Sequence, residues 1–166
     1  MTRRKESPPV DPARSAQMAL VRGKDTKPEL RVRRALHAAG LRYRLQDKRL
    51  PGRPDLVFPS RRTVIFVHGC FWHRDPNPAC PFTRTPKTRL EFWEGKFAEN
   101  TARDARNEAA LAADGWKVFV VWECETKDAA RLARLVEEIR AEPEKPRRRQ
   151  RKSRPAWSRK RFAERT

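Results

Sequence analysis

The chain has 166 residues, room for one compact domain, and carries 40 Lys and Arg against 21 Asp and Glu, a formal net charge of +19. An excess of that size points to a polyanionic partner, because each neutralised phosphate releases condensed counterions. No apolar run reaches the ~18 residues of a membrane span and no signal-peptide core follows Met1, so the expectation is a protein that works inside the cell without a membrane partner.

The charge is uneven along the chain. Residues 1–24 form a basic arm with 6 Lys/Arg and 2 acids, net +4. Residues 25–141 read as one folded domain. Thr26-Lys27-Pro28-Glu29 predicts a capping box, in which hydroxyl and carboxylate each satisfy an orphan backbone N–H. The helix it opens runs to about Ala39, buries Leu30, Val32, Leu36 and Ala39, and stops at Gly40. Leu41, Tyr43 and Leu45 alternate with polar residues as in a half-buried strand. Pro54–Phe58 and Thr63–His68 are short apolar runs joined by a Pro-Ser-Arg-Arg turn and read as buried strands.

An irregular stretch follows from Gly69 to Lys87. Thr88-Arg89-Leu90-Glu91 predicts a second capping box and a helical region reaching Ala113, with a break near Asn100. Trp116–Trp122 reads as a central strand after Gly115. A last amphipathic helix from Thr126 to Ala141 buries Ala129, Leu132, Leu135, Val136 and Ile139. The order αβββαβα predicts an α/β fold with a mixed sheet flanked by helices. Residues 142–166 hold 11 Lys/Arg, 3 Glu and three prolines, the composition of a tail that is disordered when free.

Pro54-Asp55 opens one buried strand, and the next ends at Val67-His68. A carboxylate at one strand and a polar group at the end of its neighbour can converge on a divalent cation, which a phosphodiester needs for hydrolysis. Mg²⁺ keeps several waters, so one Asp and a backbone carbonyl suffice to hold it. His68 and His73, two of three histidines, flank Gly69-Cys70-Phe71-Trp72 at this position. Either can act as general base or acid. His37, mid-helix, is a surface or packing residue.

Three cysteines, an odd number, suit thiol or metal chemistry better than a disulfide framework. Cys70, Cys80 and Cys124 come from separate elements and, with a fourth ligand, would close a structural zinc site. Spacing leaves that ligand open between His73, which has knuckle spacing from Cys70, and Asp75. Phe71, Trp72, Phe92 and Trp93 crowd the same region. Exposed aromatics on a basic surface can wedge between base steps. Phe92 is expected in the core, whereas Phe71 and Trp72 lie in a polar loop.

At Pro51-Gly-Arg-Pro-Asp55 and Val64-Ile-Phe-Val-His-Gly-Cys-Phe-Trp-His73 the chain resembles the very-short-patch repair endonuclease family. The likeness continues through Arg14-Ser15, Met18, Asp25-Thr26, Glu29, Arg89–Lys96, Asn100, Arg103-Asp104, Gly115-Trp116 and Val121–Cys124, and covers roughly residues 13 to 141. It implies a restriction-endonuclease-like fold and a nick 5′ to the thymine of a T·G mismatch, left when 5-methylcytosine deaminates. It implies Asp55 as ligand of two Mg²⁺ ions, helped by the Val67 carbonyl, with His73 as general base and His68 and Glu29 completing the catalytic surround. Phe71, Trp72 and Trp93 match the DNA wedge, and Met18 the arm that reaches the minor groove. Cys70, Cys80 and Cys124 match three zinc ligands. The family usually has another histidine two residues after the catalytic one; here that position is Asp75, so Asp75 becomes the favoured fourth zinc ligand, and Val67 stands where Thr is usual. A bacterial, nucleoid-associated monomer follows, whose partners are double-stranded DNA, mismatch-repair proteins and a repair polymerase. Two alternatives share the charge and cysteines: a non-catalytic zinc-stabilised DNA-binding module, and a restriction-type nuclease that reads a site. An Asp opening a buried strand opposite two histidines favours a nuclease over the module.

Overall fold

A computed structural model describes residues 23–144. The basic arm to residue 22, with Met18, and the tail from 145 lie outside the described residues. Helix α1 (Lys27–Ala38) is followed by strands β1 (Arg44–Leu45), β2 (Leu56–Phe58) and β3 (Thr63–His68), a one-turn helix α2 (Cys70–His73), the long helix α3 (Leu90–Ala113), strand β4 (Lys117–Trp122) and helix α4 (Ala129–Ala141). The sheet order is β1-β2-β3-β4, with β1/β2 and β2/β3 antiparallel and β3/β4 parallel, the mixed sheet expected. No described helix is long and apolar enough to cross a membrane.

Alternation along the central strands sorts side chains onto two faces. Leu56, Phe58, Ile65 and Val121 join Val32 and Leu36 of α1 and Leu135, Val136 and Ile139 of α4 in one core. Val57, Val64 and Phe66 pack with Leu111 of α3, Leu50, Trp116 and Val118 in the other. Helices therefore cover both faces, which is why β2 and β3 read as continuous apolar runs. β2 runs against β3 while β4 runs with it. The start of β2 and the ends of β3 and β4 thus meet at one end of the sheet.

Several local expectations need correction. Thr26 caps no backbone N–H; its hydroxyl donates to Glu29 Oε1 at 2.8 Å, and Glu29 Oε2 accepts the Asp25 N–H at 3.0 Å. Leu30 and Ala39 are only half-buried, whereas Glu29 and Arg33 are buried. Strand β1 shrinks to two exposed residues because Leu41 and Tyr43 pack on the core without pairing. Inside the irregular stretch, Cys70–His73 is helical. α3 starts at Leu90 with Arg89 in the left-handed region, so the second capping box does not form. It also continues unbroken through Asn100, whose side-chain amide bonds outward to the Trp72 carbonyl at 3.1 Å and leaves the helix's own backbone alone. The last helix is split: Glu125–Lys127 is a 3₁₀ turn, Asp128 caps α4 through the Ala130 N–H, and Ala129 is exposed and Leu132 half-buried.

Leu36, fully buried between α4 and the sheet, sets the scale for this core. Truncation to Ala is expected to cost about 2–5 kcal/mol in urea unfolding. The same change at Leu45, 48% exposed, should stay within about 0.5 kcal/mol.

Candidate functional site

An open cleft of about 1060 Å³ lies at the shared end of the strands. Asp55 enters it from the start of β2, half-buried, and its Oδ2 accepts the Val67 N–H from β3 at 2.7 Å. The preceding turn can approach α3 only because residue 52 is glycine. Its φ is +69°, and a Cβ there would stand 2.8 Å from the Asn107 amide. Burial drives the Asp55 carboxyl up to about 6, aided by the nearby Glu29 charge and opposed by the Val67 N–H and by Arg33. The alternative pairing of Asp55 with Arg53 is not seen.

His68 ends β3, and His73 closes the one-turn α2. Their rings stack at 4.1 Å with 9° between planes. Burial, with the neighbouring His73, lowers His68 to about 4, so it is neutral at pH 7. His73 Nδ1 contacts Asp104 Oδ2 on α3, and Arg103 holds the other Asp104 oxygen at 3.2 Å. A carboxylate on Nδ1 makes that nitrogen the donor and leaves Nε2 free to accept a proton from the cleft. Asp104 was legible only as part of a shared Arg-Asp motif, thirty-one residues from its partner, with nothing in the spacing to join them. Glu29 lines the same cleft, but both its oxygens are engaged, with the Asp25 N–H, the Thr26 hydroxyl and Arg33. Glu108 and Glu123 line it too.

A second cluster lies behind α2. Donor atoms of Cys70, Asp75, Cys80 and Cys124 all fall within 4.8 Å of one another, so these four could hold one metal ion. Asp75 is buried; its Oδ2 is 3.1 Å from Cys124 Sγ and its Oδ1 accepts the Asn77 N–H at 2.9 Å. Burial pushes the Cys70 thiol up to about 12 and raises Cys124 as well. Burial works against ionisation of Asp75, yet the Asn77 N–H and the thiols outweigh it and hold that carboxyl below its usual range. His73, the other candidate fourth ligand, sits in the separate group with His68 and Asp104.

Phe71, Trp72, Trp93 and Phe97 form one aromatic cluster at the junction of α2 and α3, with Phe71 edge-on to the other three and Trp93 stacked on Phe97. Phe97 is the buried member. Phe71, Trp72 and Trp93 are half-buried. Phe92, expected in the core, is 50% exposed and carries the Arg89 guanidinium 4.5 Å above its ring. It points away because the α3 stripe that faces the protein is occupied by Trp93, Phe97 and Asn100.

Comparison with known proteins bears on what this arrangement is. The profile of the family described as DNA mismatch endonuclease Vsr matches residues 10–77. The type II nicking enzyme V.XorIIP of Xanthomonas oryzae is 56% identical over 119 residues, 71% of this chain and 85% of that protein. The type II nicking enzyme V.NmeAIP of Neisseria meningitidis is 46% identical over 131 residues, 76% of this chain and 91% of its relative. The DNA mismatch endonuclease Vsr of Escherichia coli is 43% identical over 119 residues, 72% of this chain and 74% of that enzyme. With such identity sustained over most of both chains, the protein belongs to the DNA mismatch endonuclease Vsr family.

Proposed function

We propose that the protein is a Mg²⁺-dependent DNA endonuclease that nicks one strand 5′ to the thymine of a T·G mismatch, on a restriction-endonuclease-like fold. The observation that carries this reading is the convergence in one cleft of Asp55, tied to β3 at Val67, with the His73–Asp104 pair. Family membership supplies DNA as the substrate class. A non-catalytic binding module has no use for a carboxylate raised to about 6 beside an oriented imidazole.

In this mechanism Asp55 and the Val67 carbonyl would hold the catalytic cation. The cation, when bound, neutralises charge on the scissile phosphate and the departing oxygen. His73 Nε2 takes the proton of the attacking water while Asp104 fixes its tautomer and steadies the imidazolium. Neutral His68 supports the His73 ring by stacking. As the water oxygen bonds to phosphorus the P–O3′ bond breaks, the departing 3′-oxygen takes a proton from solvent, and a 3′-hydroxyl and a 5′-phosphate remain; the 3′-hydroxyl end suits a repair polymerase. Phe71, Trp72 and Trp93 form the wedge, which costs less at a T·G wobble than at a matched pair because the wobble unstacks more readily. Met18 and the basic segments outside the described residues add contacts to the duplex.

Cys70, Asp75, Cys80 and Cys124 hold a structural Zn²⁺ in this reading, supported by a closed four-donor set with a buried carboxylate. Val67 in place of the family's usual Thr costs nothing if the backbone carbonyl is the ligand. A second reading, site-directed nicking, draws support from two of the relatives being named type II nicking enzymes.

A labelled duplex carrying one T·G pair, beside its matched counterpart, tests the proposal. The expected result is a Mg²⁺-dependent nick 5′ to the mismatched thymine that chelator abolishes. Equal cutting of both duplexes at one sequence would replace mismatch reading with site reading, and binding without cutting would remove the nuclease. Asp75→Ala should lower bound zinc below one equivalent; unchanged stoichiometry would exclude Asp75 as a ligand. The raised Asp55 carboxyl carries a stability signature as well. Folding favours its protonated form, so the Asp55 contribution to the metal-free protein's stability is lost as pH rises from about 4 to about 6. Buried neutral His68 contributes with the opposite sign over the same range, in wild type and Asp55→Asn alike. Asp55→Asn should remove that slope and stabilise the metal-free protein at pH 7 by up to about 3 kcal/mol; identical thermal unfolding of both proteins from pH 4 to 7 would contradict it.

A further inference from the structure

Four arginines hold a left-handed backbone conformation that residues other than glycine rarely adopt: Arg53, Arg62, Arg74 and Arg89 have φ of 50°, 50°, 56° and 56°. In three of them the side chain shows what offsets the strain. The Arg62 guanidinium lies 4.6 Å above the Trp116 ring and reaches the Asp114 carbonyl. Arg74 lies 4.7 Å above Phe97 and bonds the Arg84 carbonyl, and Arg89 lies 4.5 Å above Phe92. Arg53 has no such anchor: among the described residues its guanidinium makes no hydrogen bond, ion pair or ring contact. Its conformation is also the most strained of the four, because Pro54 follows and favours extended backbone in the residue before it. The turn itself needs only the Arg53 N–H, which donates to the Leu50 carbonyl at 3.2 Å, and glycine or asparagine would supply that at less cost. Neither supplies a cation.

Arg53 is exposed at the cleft, two residues before Asp55. Five carboxylates line that cleft against three cations, Lys48, Arg53 and Arg103. Arg103 is already held by Asp104 at 3.2 Å. Lys48 is exposed on an unstrained backbone and carries a point charge on a flexible stem. Arg53 differs from both, with a donor fork that is unengaged and a root fixed by the turn and by Pro54. Strain that no contact within the described residues offsets is characteristic of residues that meet a ligand. We propose that Arg53 binds the phosphate that is cut, its planar fork donating two parallel N–H bonds to the two non-bridging oxygens. The cation sits on the acidic side of that phosphate and the guanidinium supplies positive charge that the protein itself carries. This inference rests on the reading of the cleft as the nicking centre made above.

Glycine at position 53 separates this role from a structural one, because it takes a positive φ without steric cost while removing the cation. Arg53→Gly in the full-length protein should therefore unfold in urea at a midpoint no lower than wild type. Its maximal Mg²⁺-supported nicking of the T·G duplex should nevertheless fall about ten- to a hundredfold, the scale of hydrogen bonds to a charged group. The phosphate concerned is identified by binding in chelator to two T·G duplexes that differ only at the nicked linkage, one carrying phosphate there and the other a neutral methylphosphonate. The preference for phosphate over methylphosphonate should be about tenfold greater in wild type than in Arg53→Gly. A lower urea midpoint in Arg53→Gly, nicking at the wild-type rate, or the same preference in both proteins would each overturn the proposal. Asp55→Ala tells that failure from another: if it nicks as fast as wild type, the cleft is not the nicking centre, and the reading on which this inference rests is what fails.

Discussion

A single turn of helix cannot sustain itself, because nucleation fixes several residues for one hydrogen bond, and the arrangement of both candidate sites depends on what pins the turn Cys70–His73. Its four consecutive side chains go to three places. Cys70 faces the cysteine cluster, His73 faces the cleft, and Phe71 and Trp72 join the aromatic group against α3. Asn100 ties the turn to α3 through the Trp72 carbonyl, and the Cys124 N–H meets Cys70 Sγ at 3.4 Å. Displacing Cys70 would therefore move the imidazole and the aromatics together. A metal held by the cysteine cluster would thus be coupled to the cleft by covalent geometry, with no wider rearrangement required.

The electrostatics work at two scales. A chain of net charge +19 draws a polyanion from a distance, yet its cleft gathers Glu29, Asp55, Asp104, Glu108 and Glu123. Such a local reversal of sign is what a cation site in a DNA-binding surface requires, since cations must be held where phosphates will also come. The cost is visible in carboxyls that resist ionisation: burial raises Asp55 to about 6, and burial with Asp104 raises Glu108. Buried Arg33 and the Arg103 contact to Asp104 keep the excess in check. In the proposed function, this lost fold stability is what a cation-binding cleft requires.

Legibility in the sequence followed the length of the periodic signal. Thr63–His68 and the α4 segment were readable because both faces of β3 are buried and α4 buries Leu135, Val136 and Ile139 along one face. α3 was found in extent, but its inward row is partly polar, with Asn100 buried beside Phe97 and Leu111, and its unbroken course was missed. β1 was overread: Leu41 and Tyr43 alternate as in a strand but face the core from an unpaired segment. Both capping boxes failed as backbone caps, the first because Arg33 and Asp25 recruit Glu29, a contact no local pattern encodes. Asp55, Val67, His68 and His73 were legible because strand ends bring them together from nearby stretches of chain. Asp104 and Arg33 were not, because their roles depend on how α3 and α1 are placed against the sheet. Phe92 and Trp93 differ by one position on a helix, which reverses their exposure without changing composition.

The central claim is that the cleft around Asp55 is where the strand is cut, and the most direct measurement compares Asp55→Ala with wild type for nicking and for binding of the same T·G duplex. The account predicts nicking lost by at least about a thousandfold with binding retained within a few-fold, because the basic surface that holds the duplex is untouched. Nicking that survives the substitution, or binding that falls in step with nicking, would contradict it.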